Sequence, residues 1–137
     1  MAGELLLDTG PLVALLDADQ RDHARCVAFF DGWRGPVVTT EAVVTEATHL
    51  LASDTRGAAT CVEFFVHGGA IVVHGGVSRL ERVLELVRRY ADIPMDYADA
   101  TLVALAEELR AADVFTLDRR GFLAYRWGRR GTFRVHP

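Results

Sequence analysis

Apolar residues fall along this chain in short blocks that alternate between two rhythms. Residues 4–8 place three leucines between Glu4 and Asp8, a run long enough only for a buried strand. Residues 37–40, 70–74 and 114–117 read the same way, and residues 132–136 form a final edge strand. Between these runs the apolar positions take a helical period. Leu12, Leu15 and Leu16 follow Thr9-Gly10-Pro11, where Thr9 can cap and Pro11 fits the first turn. Val27, Phe30 and Trp33 share a side of a helix over 22–33, which Gly35-Pro36 ends. Val43, Val44, Ala47, Leu50 and Leu51 mark 41–53, and Ala58, Val62, Phe65 and Val66 mark 55–67, closed by Gly68-Gly69. Leu80, Val83, Leu84 and Val87 form the next face, with Glu85 spaced to pair with Arg89, and Pro94 closes the segment. Asp96 then caps a helix that turns Ala98, Leu102, Leu105, Ala106 and Leu109 inward. Strands alternating with helices predict an α/β fold, a three-layer α/β/α sandwich with a mainly parallel sheet. Residues 1–137 read as a single domain, without repeat or linker.

Composition narrows the class. Half the residues are hydrophobic and a quarter charged, as in an ordinary globular protein. No apolar stretch approaches the roughly 20 residues that span a bilayer, and no basic residue precedes the first apolar run, so a cytoplasmic protein is expected. Cys26 and Cys61 lie in helical patterns without metal-ligand spacing and read as buried, reduced thiols. Net charge is −4, which excludes a generic polyanion binder. Its distribution is uneven. After Asp118 come Arg119, Arg120, Arg126, Arg129, Arg130 and Arg134 with no acidic residue, so the tail carries +6 against −10 for the rest. All basic side chains here are arginine, which suits bidentate phosphate contacts. Either a phosphate-binding role or a solvated surface accounts for that tail.

Four acids carry the candidate chemistry. Asp8 ends the first strand run and Asp118 follows the run 113–117, so both point from carboxyl ends of strands. In an open parallel sheet, ligands bind at that edge. Glu46 lies near Val43 and Leu50 at the margin of a buried stripe, where a carboxylate is costly unless paired or metal-bound. Asp99 stands beside Leu102 and Ala106, three residues after Asp96; the pair also reads as a capping-box variant. Each acid alone is explained by a cap, a turn or an ion pair. Together they fall at one edge, and gathered carboxylates call for a hard divalent cation.

The ordered set of motifs resembles PIN-domain nucleases, above all the VapC toxins of bacterial and archaeal toxin–antitoxin pairs. The matching stretches are residues 5–17, 39–46, 96–106 and 116–122, with Asp22-His23-Ala24 also typical, and the likeness spans essentially the whole chain. The resemblance implies a Mg²⁺- or Mn²⁺-dependent endoribonuclease in which Asp8, Glu46, Asp99 and Asp118 are the catalytic, metal-binding acids. Asp96 enters as an accessory acid, and Thr9 and Thr116 as neighbouring hydroxyls. Many relatives carry a second acid just after the last aspartate. Here Arg119-Arg120-Gly121 stands in that place, which weakens the case for a tightly held second ion.

Other phosphate-handling folds fit less well. Receiver domains and haloacid-dehalogenase-type phosphatases use a lysine near the site, and this chain has none; residue 10, moreover, is glycine. No P-loop or dinucleotide fingerprint is present. The rival from another class is a non-catalytic PIN-like module that binds RNA or protein. The expected partners are RNA, approached by Arg119, Arg120, Arg126, Arg129 and Arg130, a cognate antitoxin protein, and a second copy in a homodimer. Phe29, Phe30 and Trp33 suggest an exposed apolar groove for a partner helix, though the same rings could fill the core.

Overall fold

The computed structural model describes residues 3–137. Its strands are β1 (Leu5–Leu7), β2 (Val37–Thr39), β3 (Ile71–Val72), β4 (Asp113–Phe115) and β5 (Arg134–His136). They form one sheet in the order β3-β2-β1-β4-β5, and every described pairing is parallel. Parallel neighbours need crossovers. Here α1 (Thr9–Leu16) and α2 (His23–Gly32) join β1 to β2, and α3 (Glu41–Leu50) and α4 (Gly57–Val66) join β2 to β3. Next, α5 (Val77–Arg89) and α6 (Tyr97–Leu109) lead to β4, and α7 (Arg119–Ala124) leads to β5. The predicted helix-flanked parallel sheet is therefore the observed one. All three residues of β1 are buried, as in a central strand covered on both faces.

Chain order reverses at β1: successive strands step outward on one side to β3, then restart on the other side at β4. The carboxyl ends of β1 and β4 consequently flank a topological switch point, where such sheets open a crevice. Backbone bonds knit this edge, with Asp8 N–H donating to the Phe115 carbonyl at 3.0 Å and Thr116 N–H to the His136 carbonyl at 2.7 Å. At the opposite end of β4, Asp113 accepts two bonds from Arg134, at 2.8 and 2.7 Å, and contacts His136 at 2.9 Å. These contacts hold the edge strand to its neighbour, and they engage one of the six tail arginines.

Several expected faces shift. Glu85 pairs with Arg82 at 2.8 Å rather than with Arg89, because Arg82 also reaches Glu107 on α6 and is held within range. On α5 the buried positions are Arg79, Val83 and Leu86, whereas Leu80 and Leu84 are half exposed. Arg79 is buried because it forks onto Glu108 and donates to the carbonyls of Val73 and His74. On α4, Gly57 and Cys61 face the core while Val62 and Val66 face out; Leu50 at the end of α3 is exposed too. Cys26 and Cys61 are free and buried, as expected. Among the described residues no helix is long and apolar enough to cross a membrane.

The rings of α2 and its C-cap are partly buried, and Phe30 and Trp33 line a small pocket with Pro36, Gly69 and Ile71. Phe29 packs on Phe115 and stacks on His136, with centroids 4.8 and 4.9 Å apart, and Phe30 meets Phe64 at 5.8 Å. Trp33 lies against Phe29 and His136, and all three α2 rings pack on the core. The edge strand and α4 need covering, and these rings cover them.

Candidate active site

At the switch point one open cleft is lined by Asp8, Thr9, Gly10, Glu46, Leu50, Asp96, Asp99, Leu117 and Asp118. All four expected acids, with Asp96 and Thr9, thus share one wall system. Each arrives from a different element: Asp8 from the end of β1, Glu46 from α3, Asp99 from the first turn of α6, and Asp118 from the start of α7. Thr116 lies beneath the cleft, fully buried, and joins two of them. Its hydroxyl donates to Asp8 Oδ2 at 2.7 Å, and its Oγ1 accepts from the Asp118 backbone N–H at 2.9 Å.

Local helix chemistry sets the other positions. Asp8, not Thr9, caps α1, with Oδ1 accepting from Thr9 N–H at 2.8 Å. The Thr9 hydroxyl is left buried and without a protein partner. Asp96 caps α6 by accepting from Asp99 N–H at 2.8 Å, as the Asp-x-x-Asp spacing suggests. The reciprocal half of that box is missing, because the Asp99 carboxylate turns elsewhere and accepts from the Tyr125 hydroxyl at 3.1 Å. Asp118 caps α7 through Gly121 N–H at 3.0 Å. Glu46 is half-buried and makes no described ion pair, so it lacks the arginine that would explain it structurally.

Asp8 and Asp99 are only 7% and 9% exposed, which sets the electrostatics. Burial pushes the Asp8 carboxyl up to about 6, against bonds from Thr116 and Thr9 that favour the ion, and Asp96 and Glu46 add repulsion. Asp99 is pushed up to about 8 by burial first and then by the Asp8 and Asp96 charges, with the Tyr125 bond opposing. Burial and the Asp99 charge hold the Tyr125 phenol protonated well above its ordinary range, so it is a donor.

The donor set suits a hard cation: it is all oxygen and it carries repelling charges. Among the described hydrogen bonds, Oδ1 of Asp99, Oδ2 of Asp118 and both oxygens of Glu46 accept none. The acids surround the cleft without closing on one another. Among the described residues no three acidic, histidine or cysteine side chains stand at ligating geometry together. A cation bound there would draw them inward, and Asp8, Asp99, Asp118 and Glu46 are the residues that would hold it.

The tail arginines are not in the cleft. Arg119 and Arg120 are exposed in the first turn of α7 beside Asp118, and Arg129 and Arg130 are exposed in the turn between Trp127 and Gly131. Arg126 folds back on the carbonyls of Leu123, Ala124 and Tyr125 at 2.9 to 3.1 Å, so its charge is committed to the end of α7. Tyr125 and Gly121 are site components that periodicity did not reveal. A Cβ on Gly121 would crowd Asp118 Oδ2 and stand 2.9 Å from the Tyr125 hydroxyl, so a larger residue there would displace one or both side chains.

A parallel sheet with acids gathered at its switch point defines the class as an α/β fold with a carboxylate-lined cleft. The sequence profile of the PIN domain matches residues 5–127, and the chain belongs to the PIN-domain family. It is 33% identical over 135 residues to Ribonuclease VapC26 of Mycobacterium tuberculosis, covering 97% of this chain and all of that one. Among solved structures, the Mycobacterium tuberculosis VapC20 toxin, which cleaves the sarcin–ricin loop, superposes with a TM-score of 0.71 at 20% identity. That match covers 80% of this chain and 86% of the other. VapBC2 of Rickettsia felis, bound to a promoter DNA fragment, gives a TM-score of 0.58 at 10% identity over 82% and 86% of the two chains. The last two show the fold.

The raised carboxylates have a measurable consequence. A carboxyl raised on folding stabilises the protein below the ordinary aspartate range near 4, and that contribution is lost as pH rises through the folded values. Without metal, the melting temperature should therefore fall from about pH 4, where unfolded aspartates ionise, and level off once pH passes the folded values of about 6 for Asp8 and about 8 for Asp99. Adding Mn²⁺ should reverse the fall, and Asp99→Asn should remove its upper part. Melts in EDTA that stay flat or rise with pH would contradict the assigned electrostatics.

Proposed function

We propose that this protein is the endoribonuclease toxin of a VapBC-type toxin–antitoxin pair, hydrolysing RNA phosphodiester bonds with Mg²⁺ or Mn²⁺. The observation that carries the reading is the single cleft where Asp8, Glu46, Asp99 and Asp118 meet at the switch point. The full-length likeness to a curated ribonuclease supports it. A bound divalent cation would supply Lewis-acid polarisation of the phosphate and acidify a water. The protein's own part is positioning. Thr116 holds Asp8 and the Asp118 backbone together, and Asp96 and Asp118 fix the helix starts. A non-catalytic PIN-like module is disfavoured because each acid is present and lines the cleft. RNA as substrate and two reduced cysteines accord with a cytoplasmic location.

Removing one buried charge tests the site. Asp8→Asn and Asp99→Asn should each lower RNA cleavage by a hundredfold or more while the protein stays folded, because each deletes a cation-binding charge. Cleavage at the wild-type rate by either variant would refute the assignment.

Approach of RNA to an acidic cleft needs compensating charge. We assign that role to Arg119, Arg120, Arg129 and Arg130, which are exposed, and withdraw it from Arg126, which caps α7. Arg119→Gln with Arg120→Gln should weaken RNA binding and reduce its salt dependence by about one to two ions released. An unchanged slope in salt titrations would leave these residues as solvated surface.

Partner surfaces follow from the misplaced apolar faces rather than from the α2 rings. Leu50, Val62 and Val66 are exposed on the α3–α4 hairpin, and Leu50 also borders the acidic cleft. A partner helix laid along them can send a basic side chain to the carboxylates, which suits an antitoxin. Val77, Leu80 and Leu84 form a second exposed row on α5, near Tyr97, and we assign it to the homodimer. Val62→Arg should abolish co-purification with the co-expressed antitoxin, and Leu84→Arg should give monomers by light scattering. If Val62→Arg binds normally, the antitoxin lies elsewhere.

A further inference from the structure

The Asp99 carboxylate is nearly buried, and its one described hydrogen bond comes from outside the acidic set. Tyr125, fully buried beyond the end of α7, donates from its hydroxyl to Asp99 Oδ2 at 3.1 Å. That contact occupies one carboxylate oxygen and leaves Oδ1 without a described partner. A buried carboxylate with a single donor is oriented by that donor, since nothing else competes for it.

The ring itself is held on several sides. Tyr90 from the end of α5 meets it edge-on at 5.1 Å, and Phe122 does the same at 5.2 Å. The Tyr90 hydroxyl in turn accepts from Arg126 N–H at 3.0 Å, which fixes the backbone one residue beyond Tyr125. Gly121 leaves room for the hydroxyl, because a Cβ there would stand 2.9 Å from it. A tyrosine needed only for packing would not require a glycine beside its oxygen.

We infer that Tyr125 is a positioning residue: its hydroxyl sets the rotation of the Asp99 carboxylate so that Oδ1 faces the cleft and the divalent cation. This inference rests on the nuclease reading and adds to it a residue that touches neither metal nor RNA. A donor placed behind a ligating carboxylate works through metal affinity, and its loss typically costs about 10- to 100-fold in that affinity.

The test is Mn²⁺ binding by calorimetry to the full chain, with RNA cleavage followed as a function of Mn²⁺. Tyr125→Phe removes one oxygen from a packed ring. It should weaken Mn²⁺ binding about tenfold or more, whereas cleavage at saturating Mn²⁺ should return to within a few-fold of wild type. Tyr90→Phe keeps the Tyr125 hydroxyl and should bind Mn²⁺ as the wild type does. Tyr125→Met, which also removes the hydroxyl while keeping bulk in the core, should weaken binding as well and serves if Tyr125→Phe fails to fold. Equal Mn²⁺ affinity in wild type and a folded Tyr125→Phe overturns the inference and leaves the nuclease reading intact. A wild-type chain that neither binds Mn²⁺ nor cleaves RNA overturns both.

Discussion

The burial of two carboxylates at one sheet edge organises this molecule. Asp8 and Asp99 reach the same cleft from the first strand and the sixth helix, each nearly inaccessible to water. Neither would remain charged there unaided. The surrounding structure supplies fixed donors: Thr9 N–H and the Thr116 hydroxyl to Asp8, and the Tyr125 hydroxyl to Asp99. Those donors come from α1, the loop after β4 and the residue after α7. Holding the acids therefore requires the switch-point edge of the sheet and the C-terminal segment to be in place together. Thr116 couples the two, since its hydroxyl serves Asp8 while its oxygen receives the Asp118 backbone.

This dependence explains features remote from the chemistry. The edge strand β5 is tied to β4 by Asp113, Arg134 and His136, and α2 covers it with Phe29 and Trp33. Without β5 the Thr116 N–H would lose its carbonyl partner on His136. Residues first suspected of receiving a partner therefore support the strand edge on which the acids stand. Arg126 likewise serves the C-terminal segment, closing α7 just beyond Tyr125.

Much of this was legible in the residues themselves. A parallel sheet needs short, wholly apolar strands, and the leucines of β1 announce one. Asp8 and Asp118 could be placed because a polar residue at the end of such a run has only the strand edge to occupy. Thr116 was reachable as a neighbour of Asp118, though not its double role. Helix faces were less legible. Val62, Val66, Leu80 and Leu84 keep helical spacing yet face outward, because period alone cannot tell a core stripe from a stripe awaiting another protein. Arg79 was invisible for the converse reason, being buried only because Glu108 and two carbonyls complete its bonds. Tyr125 and Gly121 depend on a contact spanning 26 residues, and no local pattern records it.

The electrostatic cost of the site connects its catalysis to its control. Raising Asp8 from the ordinary aspartate value to about 6 costs roughly 3 kcal/mol of folding stability at neutral pH. Domains of this size are stable by only about 5–15 kcal/mol. Any cation that settles among the acids recovers part of that free energy, whether it is a divalent metal or a basic side chain delivered by a partner. Both kinds of occupant would relieve the same buried charge, so under the proposed function they would compete for one site. Leu50, exposed at the end of α3, lines the acidic cleft and brings an apolar side chain beside the charges. On the proposed function, catalysis and inhibition would thus share one constraint, the buried carboxylates at the carboxyl end of β1.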